Sequence, residues 1–151
     1  MIQLETKHFG TIEVDENGIV DFPEGIPGFE DVRQFVLLGS IGEDSPFQWI
    51  QSVDRPELAL VVIDPKSFMP DYVVDIPDGE VEMLEIKDTA KVAVFSVVVV
   101  PEDIMMMTVN LKAPILINIE NKRGKQVIMD SSSYPVKYSL MQELRKTGGK
   151  K

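Results

Sequence analysis

Short apolar stretches alternate with turn residues along most of the chain. Four of them are rich in β-branched and aromatic side chains and recur at the strand-and-turn spacing of an all-β domain. They are RQFVLLGS (33–40), FQWIQSV (47–53), LALVVIDP (58–65) and KVAVFSVVVV (91–100). The last stretch is almost continuously apolar, which predicts a strand that is buried on both faces at the centre of the fold.

Two further pairings are predicted from turn residues. GTIEV (10–14) and GIVDF (18–22) flank a turn that ends in Asn17-Gly18, which indicates a β-hairpin. Later in the chain, MMMTVNL (105–111), APILINIE (113–120) and KQVIMD (125–130) are separated by short turns. This spacing predicts a three-stranded antiparallel meander, or an arrangement close to it.

Helix is scarce in the pattern. Val136, Leu140 and Leu144 share one helical face, and basic side chains follow them, which predicts a C-terminal α-helix. Residues 79–86 fit a short helix or a strand equally well. We therefore expect one domain over residues 1–151, all-β and mainly antiparallel. It should form a small closed or nearly closed β-barrel-like fold with a C-terminal α-helix and a flexible basic tail at 145–151.

The segment FPEGIPGFED (22–31) interrupts this pattern. Its two prolines and two glycines exclude both a helix and a regular strand, so it is a shaped loop. Phe22, Ile26 and Phe29 are too apolar for an ordinary solvated turn. They either pack beneath the loop or contact another molecule.

Charge is distributed unevenly along the chain. The net charge is −10, but residues 1–90 carry 20 acidic and 5 basic side chains, whereas residues 91–151 carry 5 acidic and 10 basic ones. An acidic first part repels phosphate, so we expect no direct nucleic-acid binding. It complements a basic protein partner, although an acidic surface also serves solubility alone.

Composition also limits the possible chemistry. The chain has no cysteine and one histidine, which excludes disulfides and the usual zinc sites. The longest apolar run, 97–100, is far too short to span a bilayer, and no signal peptide opens the chain, so a cytoplasmic protein without a membrane contact is expected.

Catalytic motifs are not found. His8, the single histidine, lies between Lys7 and Phe9 and is better interpreted as a solvated or edge-strand residue than as part of a triad. We expect no catalytic, metal-binding or cofactor-binding residues. The alternative is a barrel that binds a small ligand or hydrolyses a substrate with carboxylates such as Asp64, Asp71 and Asp75.

Five segments occur together in a family-specific order and spacing. They are GIPGFE (25–30), PFQWIQSVD (46–54), IDP-x-x-F-x-P-DY (63–72), TVNLKAPILIN (108–118) and KQVIM (125–129). In this respect the chain closely resembles the FliW family of flagellar assembly factors, over nearly its whole length.

The resemblance implies a β-barrel-like cytoplasmic protein without enzymatic activity, monomeric when alone. It implies binding to the translational repressor CsrA, as an antagonist, and binding to flagellin. In this scheme unsecreted flagellin occupies the protein. Export of flagellin frees the protein to bind CsrA, which relieves repression of flagellin mRNA.

The family motifs also supply candidate partner-binding residues. Ile26, Phe29 and Glu30 lie in the first motif, and Asp71 and Tyr72 lie on a second well-matched loop. For the glycines and prolines of the motifs we expect a structural role, and for Phe22 a place in the core.

Overall fold

The computed structural model of the protein describes residues 2–7, 9–39, 47–129 and 133–140. Eleven strands and one short α-helix are found in these ranges, joined by turns and 3-10 segments. The strands are β1 (Ile2–Thr6), β2 (Gly10–Val14), β3 (Ile19–Asp21), β4 (Gln34–Leu38), β5 (Phe47–Ser52), β6 (Ala59–Ile63), β7 (Val92–Val99), β8 (Thr108–Val109), β9 (Ile115–Asn118), β10 (Arg123–Gln126) and β11 (Tyr138–Ser139), and the helix is α1 (Asp78–Met83). No helix in the described part of the chain is long and apolar enough to cross a membrane.

Seven of the strands form a closed barrel. Strands β3, β4, β5, β6 and β7 follow one another around it, β9 pairs with β7, and β10 pairs with β9 and returns to β3. Every pairing is antiparallel except the last, where Arg123 of β10 lies parallel to Asp21 of β3. The predicted all-β, mainly antiparallel barrel is thereby confirmed.

The remaining strands extend the barrel on two sides. β8 pairs with the end of β7, and β11 pairs with β8. β1 and β2 form a separate two-stranded sheet. Its apolar face packs on the outer side of β4, where Leu4 and Val14 contact Val36.

The barrel interior is filled by side chains, as expected for a barrel of this size. Strand residues alternate between the interior and the outer face, so strands β3 to β7 and β9 each contribute inward-facing residues to this core. Its buried members are Val20, Phe22, Ile26, Val32, Phe35, Ile50, Leu58, Val62, Phe95, Ile115 and Ile117. Burial of each large apolar side chain contributes about 1.5–3 kcal/mol to folding.

The predicted hairpin over residues 10–22 is wrong. β2 pairs with β1, and β3 pairs with β4 inside the barrel. The cause is local: Asp15 caps a 3-10 turn by accepting a hydrogen bond from the backbone N–H of Asn17, 2.9 Å away. This turn redirects the chain from the outer sheet into the barrel instead of folding it back on itself.

The predicted meander is correct only in its second half. β9 and β10 form a hairpin, but β8 pairs with β7 and not with β9. The side-chain oxygen of Asn110 accepts hydrogen bonds from the N–H groups of Lys112 and Ala113, at 3.1 and 3.0 Å. The resulting turn places β9 beside the first half of β7.

Two predicted elements are settled in part. Residues 79–86, left open between helix and strand, contain most of α1. The predicted terminal helix is wrong over its first residues, because Tyr138 and Ser139 pair with β8 as strand β11. The rest of that helix and the basic tail lie beyond residue 140, outside the described residues. His8 is also outside the described residues.

A candidate partner-binding surface

The segment from Phe22 to Arg33 is a compact loop built from consecutive tight turns. Its base is closed by a hydrogen bond from Phe22 N to Arg33 O, at 2.7 Å. Within the loop, Gly25 N donates to Phe22 O at 2.8 Å and Phe29 N donates to Ile26 O at 2.7 Å. The loop therefore holds its shape through its own backbone and presents a fixed set of side chains.

Part of the loop belongs to the barrel core. Phe22 is fully buried, and its ring meets that of Phe35 edge to face with centroids 5.1 Å apart. A Cβ added at Gly124 of β10 would lie 2.8 Å from the Phe22 ring, so only glycine fits beneath it. The predicted core position of Phe22 is confirmed, and Ile26 is buried beside it.

Two glycines determine the course of the loop. Gly25 has φ +68°, and a Cβ there would lie 2.6 Å from the Cα of Glu30. Gly28 has φ +92° and faces open space. The carboxylate of Glu30 accepts a hydrogen bond from Gly28 N at 3.1 Å, while the Glu30 side chain stays exposed.

A lysine fastens the loop to two neighbouring elements. Lys125 of β10 lies 3.2 Å from the carboxylate of Glu24 in the loop and 2.7 Å from that of Glu80 in α1. Burial lowers the pKa of Lys125, but hydrogen bonds to Glu80 and Glu24 and their negative charges outweigh burial and raise this pKa above its ordinary value. On the other side of the loop, Asp31 forms an ion pair with Arg55.

An apolar groove runs beside the loop. We call it the loop groove; its volume is about 210 Å³, and it is lined by Ile26, Pro27, Phe29, Leu60, Val97, Val99, Asn110, Gln126, Val136 and Lys137. Val99 and Val136 are 59% and 54% exposed. Large apolar side chains thus remain accessible along a concave surface that is built in part from the GIPGFE motif.

The loop groove exists because β6 and β7 separate. They pair only at Val62 with Val97 and at Ile63 with Ser96. Continued pairing would place Leu60 opposite Val99, but the pairing ends at Val62 and Val97, and Leu60 and Val99 line the groove. We call this short contact the β6–β7 seam; the loop groove opens at one of its ends.

The second candidate loop is held by a buried tyrosine. Tyr72 is 2% exposed; its hydroxyl donates a hydrogen bond to Leu111 O at 2.6 Å, and its ring lies 4.7 Å from that of Tyr134. Burial, and then the neighbouring Tyr134, raise the pKa of Tyr72 well above its ordinary value, so its hydroxyl stays protonated and donates. The adjacent Asp71 is exposed.

Residues 71–77, which we call the strap, pack on the outside of the barrel without joining a sheet. Side chains satisfy the strap's backbone instead: Val73 N donates to the Tyr134 hydroxyl at 3.0 Å, and Asp75 N contacts the Met129 sulfur at 3.3 Å. A second groove, the strap groove, lies beside it with a volume of about 340 Å³. Its lining residues are Lys66, Tyr72, Val73, Val74, Ile76, Val92 and Val94.

The five predicted partner-binding residues divide between these two grooves. Ile26 and Phe29 line the loop groove with Glu30 beside them, whereas Tyr72 lines the strap groove next to Asp71. Ile26 and Tyr72 are buried and shape the grooves from beneath, which leaves the half-buried Phe29 and the two carboxylates accessible. Their role in binding stays a prediction.

Sequence reasoning missed the strand side of the loop groove. Val99 belongs to an apolar run that was predicted to be buried on both faces, yet it is exposed, and Leu60 gave no signal of a surface role. The separation of β6 from β7 depends on pairing between distant segments, which a local pattern does not encode.

No observation favours the ligand-binding or hydrolytic alternative. The interior, where a ligand-binding barrel holds its ligand, is packed with apolar side chains. Asp64, Asp71 and Asp75 are exposed, and Asp64 accepts a backbone hydrogen bond from Lys66 N at 3.0 Å. Within the described residues, no three histidine or acidic side chains are grouped so as to hold a metal ion.

Comparisons with known proteins agree with the motif order. A family model described as "FliW protein" matches residues 3–140. The flagellar assembly factor FliW of Caldanaerobacter subterraneus subsp. tengcongensis is 46% identical over 144 residues, which cover 95% of this chain and 96% of that protein. The FliW of Thermoanaerobacter pseudethanolicus is 42% identical over 144 residues, with the same two coverages.

The fold agrees as well. A crystal structure of the flagellar assembly factor FliW matches with a TM-score of 0.84 and 42% sequence identity, covering 92% of this chain and 96% of that one. The family model spans both the loop and the strap, and the crystal structure matches most of the chain. The chain belongs to the FliW family of flagellar assembly factors.

Proposed function

We propose that this protein acts in the cytoplasm as a partner switch, binding either the translational repressor CsrA or flagellin and catalysing no reaction. Bound to flagellin, it leaves CsrA free to repress flagellin mRNA; when flagellin is exported, it binds CsrA and relieves the repression. Membership of the FliW family supports a role in flagellar assembly. The two named partners rest on the family resemblance.

The loop groove is the observation that carries this proposal. It joins motif residues to the exposed valines Val99 and Val136 in one concave apolar surface. Exposed apolar patches rimmed by polar residues are typical of protein interfaces. The rigid loop presents the half-buried Phe29 as an anchor without a large loss of conformational entropy on binding.

Charge supports CsrA as one of the partners. A protein that represses translation by holding mRNA needs a basic surface. The first 90 residues of this chain carry a net charge of −15, and those of their carboxylates that the structure describes, including Glu30 and Asp71, are largely exposed. Complementary charge speeds the encounter of two such proteins.

The proposal is tested by placing a charge in the loop groove. Val99→Asp changes a side chain that is already 59% exposed, so the fold should tolerate it. Ile119→Asp is the matched control, because Ile119 is 46% exposed in the turn after β9 and does not line the groove. Binding to purified CsrA and, separately, to flagellin is measured by calorimetry.

We expect Val99→Asp to weaken binding of at least one partner by about tenfold or more, since a buried unpaired carboxylate costs more than 1.4 kcal/mol. Ile119→Asp should bind both partners as the unchanged protein does. Unchanged binding of both partners by folded Val99→Asp would remove the loop groove from the interface. If the unchanged protein binds neither partner, the proposed function is wrong.

A further inference from the structure

β7 leaves part of its backbone unpaired at the β6–β7 seam. In antiparallel pairs, successive residues of a strand direct their backbone N–H and C=O groups to opposite sides. Ile119 N donates to Lys91 O at 2.9 Å, in register with the pairing of β7 and β9. The backbone N–H and C=O groups of Ala93 and Phe95 therefore also point toward β9. Those of Val92 and Val94 point away from it, toward the opposite edge of β7.

The other end of β7 shows the same alternation of its backbone groups. Asn110 N donates to Val97 O at 3.0 Å, so the backbone groups of Val97 point toward β8 and those of Ser96 point toward β6. Ile63 and Ser96 are thus the one hydrogen-bonded pair of the seam. The edge of β7 that carries Val92 and Val94 continues past this pair on the side where β6 has already ended at Ile63.

No strand pairs with this part of the edge within the described residues, although the 3-10 segment after β6 lies close to β7. After Ile63 the chain turns into a 3-10 segment, Pro65–Ser67, and no hydrogen bond among the described residues reaches the backbone of Val92 or Val94 from this side. The edge borders the strap groove, which Val92, Val94 and Lys66 line together. An unpaired strand edge next to a groove of about 340 Å³ accommodates another extended chain.

We propose that the strap groove is a strand-addition site, at which an extended segment of a partner protein pairs with the edge of β7 at Val92 and Val94. Backbone hydrogen bonds to these two residues hold the segment, and its side chains alternate between the apolar groove and solvent. This inference deepens the proposed function and rests on it for the identity of the partners, but not for the site itself.

Charge indicates the chemistry of the segment. The stretches that border the strap groove, 64–67 and 71–78, carry four exposed carboxylates, those of Asp64, Asp71, Asp75 and Asp78. The nearby bases are Lys66 and Lys91. A segment that places apolar residues toward Val92 and Val94 and basic residues toward the strap satisfies both surfaces.

Amide hydrogen exchange measured residue by residue by NMR tests the site. In the free protein, the amides of Val92 and Val94 should exchange faster than those of Ala93 and Phe95, which donate to β9. The exchange is then repeated with CsrA, with flagellin, and with a synthetic peptide of alternating lysine and valine. Slower exchange at Val92 and Val94 with the peptide and with at least one of the two proteins is the expected result.

A pair of variants separates the backbone of Val94 from its side chain. Val94→Pro removes the N–H that points into the strap groove, and proline is tolerated where a strand edge has no ladder partner. Val94→Ala keeps this N–H and removes more of the valine side chain than proline does, so it sets an upper limit on the effect of side-chain loss. We expect Val94→Pro to weaken binding of the peptide and the protected partner by at least about tenfold, and Val94→Ala by much less.

The outcomes distinguish the site from the proposed function. If CsrA or flagellin binds while Val92 and Val94 exchange as in the free protein, the strand-addition site is wrong and the switch stands. If neither protein binds but the peptide protects these amides, the switch is wrong and the site stands. Slow exchange of both amides in the free protein would also overturn the site. This exchange is measured on the unchanged protein, so the test holds even if Val94→Pro does not fold.

Discussion

Gly25 and Gly28 show, residue by residue, why the GIPGFE motif has its composition. Both have positive φ, but only Gly25 is also crowded, because a side chain there would meet the backbone of Glu30. Glu30 in turn accepts the N–H of Gly28, so the motif is closed by its own last residue. The motif residues thus fix the shape of a rigid loop, and this loop in turn positions the binding surface.

This difference predicts unequal effects of two alanine substitutions. Gly28→Ala should lower the free energy of unfolding by about 1–2 kcal/mol, the strain of a left-handed alanine. Gly25→Ala should lower it by roughly 2–4 kcal/mol, because a contact of 2.6 Å adds to the same strain. Urea unfolding of both variants measures this, and equal losses would show that the crowding at Gly25 is relieved by a small shift.

The sequence was informative about individual side chains whose environment is local. The apolar Phe22 among turn residues indicated either a core position or a contact with another molecule; the family motifs favoured the core, and Phe22 is fully buried. Tyr72 and Ile26 were chosen as partner contacts because they lie in segments that match the family, yet both are buried. Whether such a side chain is buried in the core or exposed to a partner depends on what packs against it from distant strands, which composition does not reveal.

At the level of elements, β7 organises the molecule. It pairs with β6, β8 and β9, as a continuously apolar central stretch predicts. The pairing of β2 with β1 and of β8 with β7 was not predictable, because it depends on the turns at Asp15 and Asn110 and on long-range register. The β6–β7 seam, with both grooves at its ends, follows from the same register.

The contact between the loop, β10 and α1 predicts a stability change that depends on pH. Lys125→Met removes the ion pairs to Glu24 and Glu80 and should lower the free energy of unfolding by roughly 1.5–3 kcal/mol at pH 7. The pKa of Lys125 is raised in the folded state above its ordinary 10.5. The stabilisation should therefore be complete below pH 10.5 and disappear as the pH rises through the folded-state pKa.

Denaturant titrations of both proteins between neutral pH and pH 11 check this. The gap between the two unfolding free energies should be constant at first and narrow only at the alkaline end. A gap that already narrows near neutral pH would show that groups other than Lys125 set it.

At the scale of the whole molecule, the negative charge of the acidic part should set the association rate with CsrA. Steering of this kind speeds association by about 10- to 1000-fold at low salt and fades as the Debye length falls below roughly 8 Å. Glu30→Lys and Asp71→Lys should both stay folded and bind CsrA more weakly, mainly through a slower on-rate. Stopped-flow association at several salt concentrations measures this.

Neutral variants separate charge from structure in this experiment. Glu30→Gln keeps an oxygen that accepts the Gly28 N–H, and Asp71→Asn keeps the shape of that side chain. Each should show about half the loss of the lysine variant at the same position, since a neutral amide changes the charge by one unit and lysine by two. If all four variants bind normally at low and high salt, the acidic part of the chain serves solubility only.

The central claim is that one partner excludes the other, and a reciprocal titration tests it most directly. The affinity for CsrA is measured with and without saturating flagellin, and the affinity for flagellin with and without saturating CsrA. The account predicts that each partner weakens the other by the same factor, whether the two sites overlap or are coupled through the β6–β7 seam. A stable complex of all three proteins with both affinities unchanged would contradict it.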